Sequence, residues 1–423
     1  MPSRERAITA HDVRRFVDER CFAPSSREGH VGVEVEWLPV DLGDPDRSLP
    51  PGPLPGLASV ADLGAMPAGS LLTLEPGGQV ELSSPPLRGI GPACAALAAD
   101  AAALTHDLAE HGVGLVGIGC DPRPEPDRRI HGPRYDAMEA YFDTEWAAGR
   151  TMMRATAAVQ VNVDLGPDAA TAQARWQRAH DLGPTLAGAF ANSPLGTGAW
   201  PSGWRSRRLA VWSDLDAGRT VAAANGGPDC CTEWADYALG ARVMLIRRDE
   251  RDFVPLSRPL TFAEWVDDGH ELGYPTLADL EYHLTTLFPP VRPRGWLELR
   301  MIDALPDPWW RVAVAVAVTL VADDDAAATC AGAIEPTRDM WRDAARHGLD
   351  HPDLARSARV CFEATLDALS RLGSDATTIA AVAAFHERYS ARGRCPADDR
   401  LAEWAEHGTL LPDADRFLEL SWA

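Results

Sequence analysis

The chain of 423 residues contains no lysine, so all 40 of its basic side chains are arginine. Arginine keeps its proton and forms no Schiff base, which excludes the Walker-A phosphate loop, pyridoxal-phosphate chemistry and Ser-Lys dyads. Basic charge is also in deficit. Against 62 acidic residues the formal net charge is −22, a balance that repels nucleic-acid backbones and anionic lipid surfaces. Long apolar runs are missing: the longest, residues 309–322, is broken by Arg311 and ends in three aspartates, too short to span a bilayer. The first 20 residues are charged throughout, so export by a signal peptide is not expected. Eight scattered cysteines form no C-x-x-C pair, and the expectation is reduced thiols in the cytoplasm.

What is present is a sequence of mixed periodicities. Helical spacing recurs over residues 10–21, 92–110 and 169–191, and again over 309–322, 338–346, 352–372, 377–392 and 400–407. Proline and glycine mark loops over 44–69 and 121–133. No solenoid repeat is visible. The reading is α+β, with residues 1–310 forming a sheet-based catalytic domain and 311–423 a helical subdomain packed on the same core.

Four segments alternate as strands. Along residues 31–37, Glu34 and Glu36 fall on one face and Val33 and Val35 on the other. Residues 72–83 carry a Pro76-Gly77-Gly78 turn, with Glu75 at its edge and Gln79, Glu81 and Ser83 sharing a face. Residues 159–165 place Gln160, Asn162 and Asp164 together, and residues 296–301 do the same with Glu298 and Arg300. A solvated antiparallel sheet alternates in this way too. Solvated faces, however, mix their charges, whereas these strands carry five glutamates, one aspartate, three amides and one arginine, and the carboxylates repel one another unless cations offset them. Oxygen donors suit Mg²⁺, which works with phosphates. Zinc is the weaker expectation, because no His-x-x-x-His or paired cysteine spacing accompanies these acids.

These residues resemble the glutamate–cysteine ligase family in its plant-like branch, most closely the actinobacterial ligases of ergothioneine synthesis. The carriers are Gly-Val-Glu-Val-Glu (32–36), Glu-Pro-Gly-Gly-Gln-Val-Glu-Leu-Ser (75–83), Gly-Pro-Arg-Tyr-Asp-Ala-Met (132–138) and Val-Gln-Val-Asn-Val-Asp (159–164). Phe-Ala-Asn-Ser-Pro (190–194), Ser-Arg-Arg (206–208), His-Leu-Thr-Thr-Leu-Phe-Pro (283–289) and Leu-Glu-Leu-Arg (297–300) follow in the family order. One departure is Arg154, placed a residue away from the arginine of plant-like relatives.

The resemblance implies a curved antiparallel sheet similar to glutamine synthetase and the guanidino kinases, with outer helices and substrates in the concavity. It implies that the γ-carboxylate of L-glutamate attacks ATP, and that the amine of L-cysteine displaces phosphate from the resulting acyl phosphate. Glu34, Glu36, Glu75, Glu81 and Glu298 would hold two or three Mg²⁺ ions, with Gln160 and Asn162 at the nucleotide. Gln79, Arg134, Tyr135 and Arg208 would meet substrate, and Arg208 and Arg300 would act catalytically. The loops 121–134 and 192–206 are expected to close over the reactants. Another amine acceptor, a phosphotransferase of the same fold, and a nucleotide-binding protein without turnover stay open as alternatives.

Overall fold

Alternating valines make the strand His30–Asp41 (β1) two-faced, and four further strands bond to it. The computed structural model describes residues 7–24, 28–50, 52–57, 66–124, 126–249, 251–372 and 374–408. Residues 51 and 58–65 of the expected loop 44–69 lie outside that set. In chain order the strands are β2 (Leu71–Leu74), β3 (Val80–Ser83), β4 (Leu87–Arg88), β5 (Val113–Val116) and β6 (Ala158–Asp164). Two ribbons follow, β7 (Leu195–Gly196) with β8 (Trp200–Pro201) and β9 (Leu245–Arg247) with β10 (Phe253–Pro255), before β11 (Val291–Pro293) and β12 (Trp296–Asp303).

The main sheet runs β11-β12-β6-β1-β3-β2, with β4 and β5 also on β1, and every pairing is antiparallel. All four strands read from alternation are present. Two are longer than the alternation indicated. β1 continues to Asp41 because Leu38 to Asp41 pair with β5, and β12 continues past a register shift between Leu299 and Ile302. That irregularity buries Met301 and Ile302 in succession, which a strict period of two does not foresee.

Three helices cover the valine face. Ile90–Ala109, Ala169–Ala189 and Trp309–Ala322 join Val33, Val35, Val159, Val161, Leu297 and Leu299 in one core. The first expected helix is α-helical over Ala10–Phe16 and then π-helical over Val17–Cys21. Downstream stand Asp324–Ile334, Trp341–His347, Pro352–Arg371, Ala376–Arg388 and Pro396–His407. The helix Asp324–Ile334 was not read from periodicity; Asp323 caps it by accepting from the Ala326 amide. The core takes in residues on both sides of position 310, among them Val161 and Phe362. All eight cysteines are free. Among the described residues no helix is long and apolar enough to cross a membrane.

Candidate active site

With its valines packed on helices, the sheet turns its carboxylates the other way. Register places Glu36 opposite Glu81, Glu34 opposite Gln160, and Glu298 opposite Asn162. Above them is a cleft of about 260 Å³. Glu34, Glu36, Glu75, Gln79, Glu81, Arg134, Tyr135, Gln160 and Arg300 line it, joined by Arg292, Thr285 and an apolar wall that includes Met138, Met152, Met153, Trp212 and Phe288.

The Glu75 turn is shaped by close approach. The Gly78 amide donates to the Glu75 carbonyl at 2.8 Å. A Cβ on Gly77 would lie 1.9 Å from the carbonyl oxygen of Arg154, and Gly78 has φ +90°, so both glycines are required. Arg154 thus supports the turn with its backbone, while its side chain pairs with Glu139 at 2.6 Å. Gln79 is buried; its amide donates to the Thr156 carbonyl at 2.9 Å and accepts from the Gly77 amide at 2.9 Å. Its polar atoms hold the turn in place.

The floor is acidic and poorly solvated. Burial, then the charges of Glu81 and Glu75, push the Glu36 carboxyl from 4.5 up to about 8. Burial and Glu81 push Glu75 up to about 7, and burial with Glu298 and Glu81 raises Glu34. Burial, reinforced by Glu75, pushes Tyr135 up to about 12. Like charges sharing a low-dielectric site cannot all ionise without a compensating cation.

Three of the acids accept hydrogen bonds from their sheet neighbours. Glu36 accepts from the Ala158 amide at 2.9 Å and the Gln160 amide at 3.0 Å. Glu34 accepts from Asn162 at 2.9 Å, and Glu81 from Thr73 at 2.7 Å. No group of three or more His, Cys, Asp or Glu among the described residues is arranged to hold a metal ion. The all-oxygen donor set and its mutual repulsion nevertheless fit a hard cation.

Arginines border the floor. Glu298, fully buried, accepts from Arg292 Nε at 2.7 Å, from Arg300 at 2.9 Å and from Arg294 at 3.3 Å. Burial opposes its charge, but Arg292 and Arg300 outweigh that and hold its carboxyl well below the usual range. Arg300 also donates to the side-chain oxygen Oε1 of Gln160. At the rim Arg134 donates to the hydroxyl and carbonyl of Thr285, at 3.0 and 3.1 Å.

Three expected site residues stand away from the cleft wall. Glu298 lies under its arginines. Asn162 clamps Glu34 and accepts from Trp296 Nε1 at 3.0 Å. Arg208, also buried, donates to the Arg300 carbonyl at 2.8 Å and lies 3.8 Å from Asp303. Asp303 in turn accepts from Ser193 and Ser206, at 2.7 and 2.8 Å. The two loops expected to close over the reactants touch each other, since the amides of Gly198 and Ala199 donate to the Pro122 carbonyl at 2.9 and 3.0 Å, and of their described residues Arg134 lines the cleft.

Arg292 was missed from sequence. Its strand is three residues long and too short for alternation to declare a face. Thr285 and Phe288 sit in a quoted motif, but helix, turn and coil share that stretch and no period assigns them a direction.

An acidic floor bordered by arginines on an antiparallel sheet can hold small, highly charged molecules. Residues 30–413 match the sequence model of Glutamate-cysteine ligase family 2 (GCS2). The glutamate–cysteine ligase EgtA of Mycolicibacterium smegmatis is 46% identical over 339 residues, covering 79% of this chain and 78% of that protein. The EgtA of Mycobacterium tuberculosis is 40% identical over 386 residues, covering 88% and 85%. The chloroplastic glutamate–cysteine ligase of Medicago truncatula is 32% identical over 255 residues, covering 57% and 48%. Among solved structures, a bifunctional glutathione synthetase from Pasteurella multocida superposes with a TM-score of 0.55 at 14% identity, covering 98% of this chain and 55% of that one, a likeness of fold. The chain belongs to the glutamate–cysteine ligase family.

Proposed function

We propose that this protein is an ATP-dependent glutamate–cysteine ligase. It joins the γ-carboxylate of L-glutamate to the amine of L-cysteine through γ-glutamyl phosphate, giving γ-glutamylcysteine, ADP and phosphate for ergothioneine synthesis in the cytoplasm. The observation that carries the reading is the convergence of Glu34, Glu36, Glu75, Glu81 and Arg300, from three separate family motifs, on one cleft.

Bound Mg²⁺ supplies charge neutralisation at the ATP phosphates and the substrate carboxylate. Glu34, Glu36, Glu75 and Glu81, which line the cleft, would hold it, with the expected fifth ligand, Glu298, paired to three arginines beside them. Arg300 and Arg292 present guanidinium groups to the anionic substrates, a geometry suited to paired oxygens. Arg208 braces Arg300 from behind. The work is positioning and charge compensation, with no covalent enzyme intermediate. The apolar wall of the cleft limits water at the acyl phosphate.

The test is ADP release with ATP, Mg²⁺, L-glutamate and a panel of amines, with product masses. γ-Glutamylcysteine formed with L-cysteine in strong preference is the expected result. ADP release independent of any amine points to a phosphotransferase, a different amide product changes the acceptor, and no ADP with any amine sinks the ligase reading. Arg292→Gln is expected to lower kcat/KM by roughly 10–100-fold, the scale of a lost charge-assisted hydrogen bond. Normal steady-state kinetics in that variant would remove Arg292 from the site.

A further inference from the structure

A second cleft, of about 210 Å³, opens between the helices Ala169–Ala189, Trp309–Ala322 and Asp324–Ile334, and shares no lining residue with the carboxylate cleft. Buried Leu182, Leu320 and Ile334 make its floor. Exposed Ala328 and Ala331 form one lip, where small side chains leave the space unfilled. It is smaller than the roughly 300–1,000 Å³ of drug-sized sites, and suits a molecule of amino-acid size.

Its mouth carries two cations and two anions. Arg178 pairs with Asp324 at 2.7 Å, and Arg338 with Asp181 at 3.2 Å. Asp324 is 86% exposed, so its pair is weakly held and open to exchange. Asp181 is more enclosed, accepts from Gln177 at 2.9 Å, and burial raises its carboxyl, so a further positive group beside it is favourable. A simple anion here faces two aspartates, and a simple cation two arginines. A zwitterion satisfies both and leaves no net charge uncompensated.

We propose that this cleft binds a free α-amino acid with a compact apolar side chain, its carboxylate met by Arg178 and Arg338 and its ammonium by Asp181 and Asp324. The side chain lies on Leu182, Leu320 and Ile334. The proposal does not rest on the ligase reading, because binding is measured directly.

L-Leucine is the probe, titrated into the full chain by calorimetry and ligand-observed NMR. Saturable one-site binding is expected, undisturbed by saturating L-glutamate. 4-Methylpentanoate, lacking the ammonium, and 3-methylbutylamine, lacking the carboxylate, should each bind at least about tenfold more weakly, the scale of one charged hydrogen bond. Ala331→Trp, which closes the lip from an exposed position, should abolish leucine binding and leave ligase turnover unchanged. Asp181→Asn should weaken leucine about tenfold and bind 4-methylpentanoate no more weakly than the parent does. Absence of saturable binding at millimolar L-leucine, displacement by glutamate, either analogue binding as tightly as L-leucine, or unchanged affinity in either variant would overturn it; should Ala331→Trp misfold, the Asp181→Asn comparison decides alone.

Discussion

Glu36→Gln is expected to lower γ-glutamylcysteine formation by roughly 10²–10³-fold, the range found when one preorganised electrostatic group is removed from a reaction centre. The same substitution should reshape stability. In the parent, the Glu36 carboxyl rises from 4.5 to about 8 through burial and the charges of Glu81 and Glu75. A raised carboxyl contributes stability that is fully present below the unfolded value and lost as pH rises through the folded one. Ligand-free parent protein should therefore lose melting temperature between pH 4.5 and 8, in a window that Glu75, pushed up to about 7, shares in part. Glu36→Gln has no such charge to acquire, so its melting temperature should fall less steeply over that window. Near-normal turnover would take Glu36 out of the reacting floor, and an unchanged pH slope would contradict the buried-charge account.

Glu298→Gln is expected to fail in both respects. Its carboxylate holds Arg292, Arg294 and Arg300, and loss of that charge leaves three cations crowded under the cleft. Removal of one member of a buried pair costs about 3–5 kcal/mol, and here the neutral isostere keeps some of the hydrogen bonds, which places the expected loss at the lower end. Activity should fall with it, because Arg300 and Arg292 lose the group that orients them. The pH dependence is opposite to that of Glu36. A depressed carboxyl stabilises above the unfolded value, near 4.5, and the contribution is lost as pH falls through the folded one. In urea titrations the gap between parent and variant should be full at pH 7 and narrow toward pH 3. Equal midpoints at pH 7 would refute the anchoring role.

Much of the site was legible before the fold. Alternation alone put Glu34 with Glu36 and Gln160 with Asn162, since a strand has only two faces. Turn chemistry marked Pro76-Gly77-Gly78, where only glycine tolerates the approach of Arg154. What alternation does not encode is depth or competition between partners. Asn162 shares a face with Gln160, yet only Gln160 reaches the cleft, because Asn162 is spent between Glu34 and Trp296. Arg208 sat in a family motif, but its position behind Arg300 depends on contacts 92 residues apart. Periodicity also missed the helix Asp324–Ile334, where three aspartates read as the end of the preceding helix rather than the cap of the next.

By itself the sequence determined the chemistry available to this protein. A chain without lysine must use arginine for every fixed positive charge, and polar side chains at alternate residues of four segments must gather on one side of any sheet those segments form. Tertiary structure decided which groups meet. It set Glu36 against Glu81, brought three arginines onto Glu298, placed Arg292 at the cleft and left a second cleft among the outer helices. Periodicity is a property of one segment, whereas register, burial and ion pairing are properties of several segments at once, fixed only when the core packs.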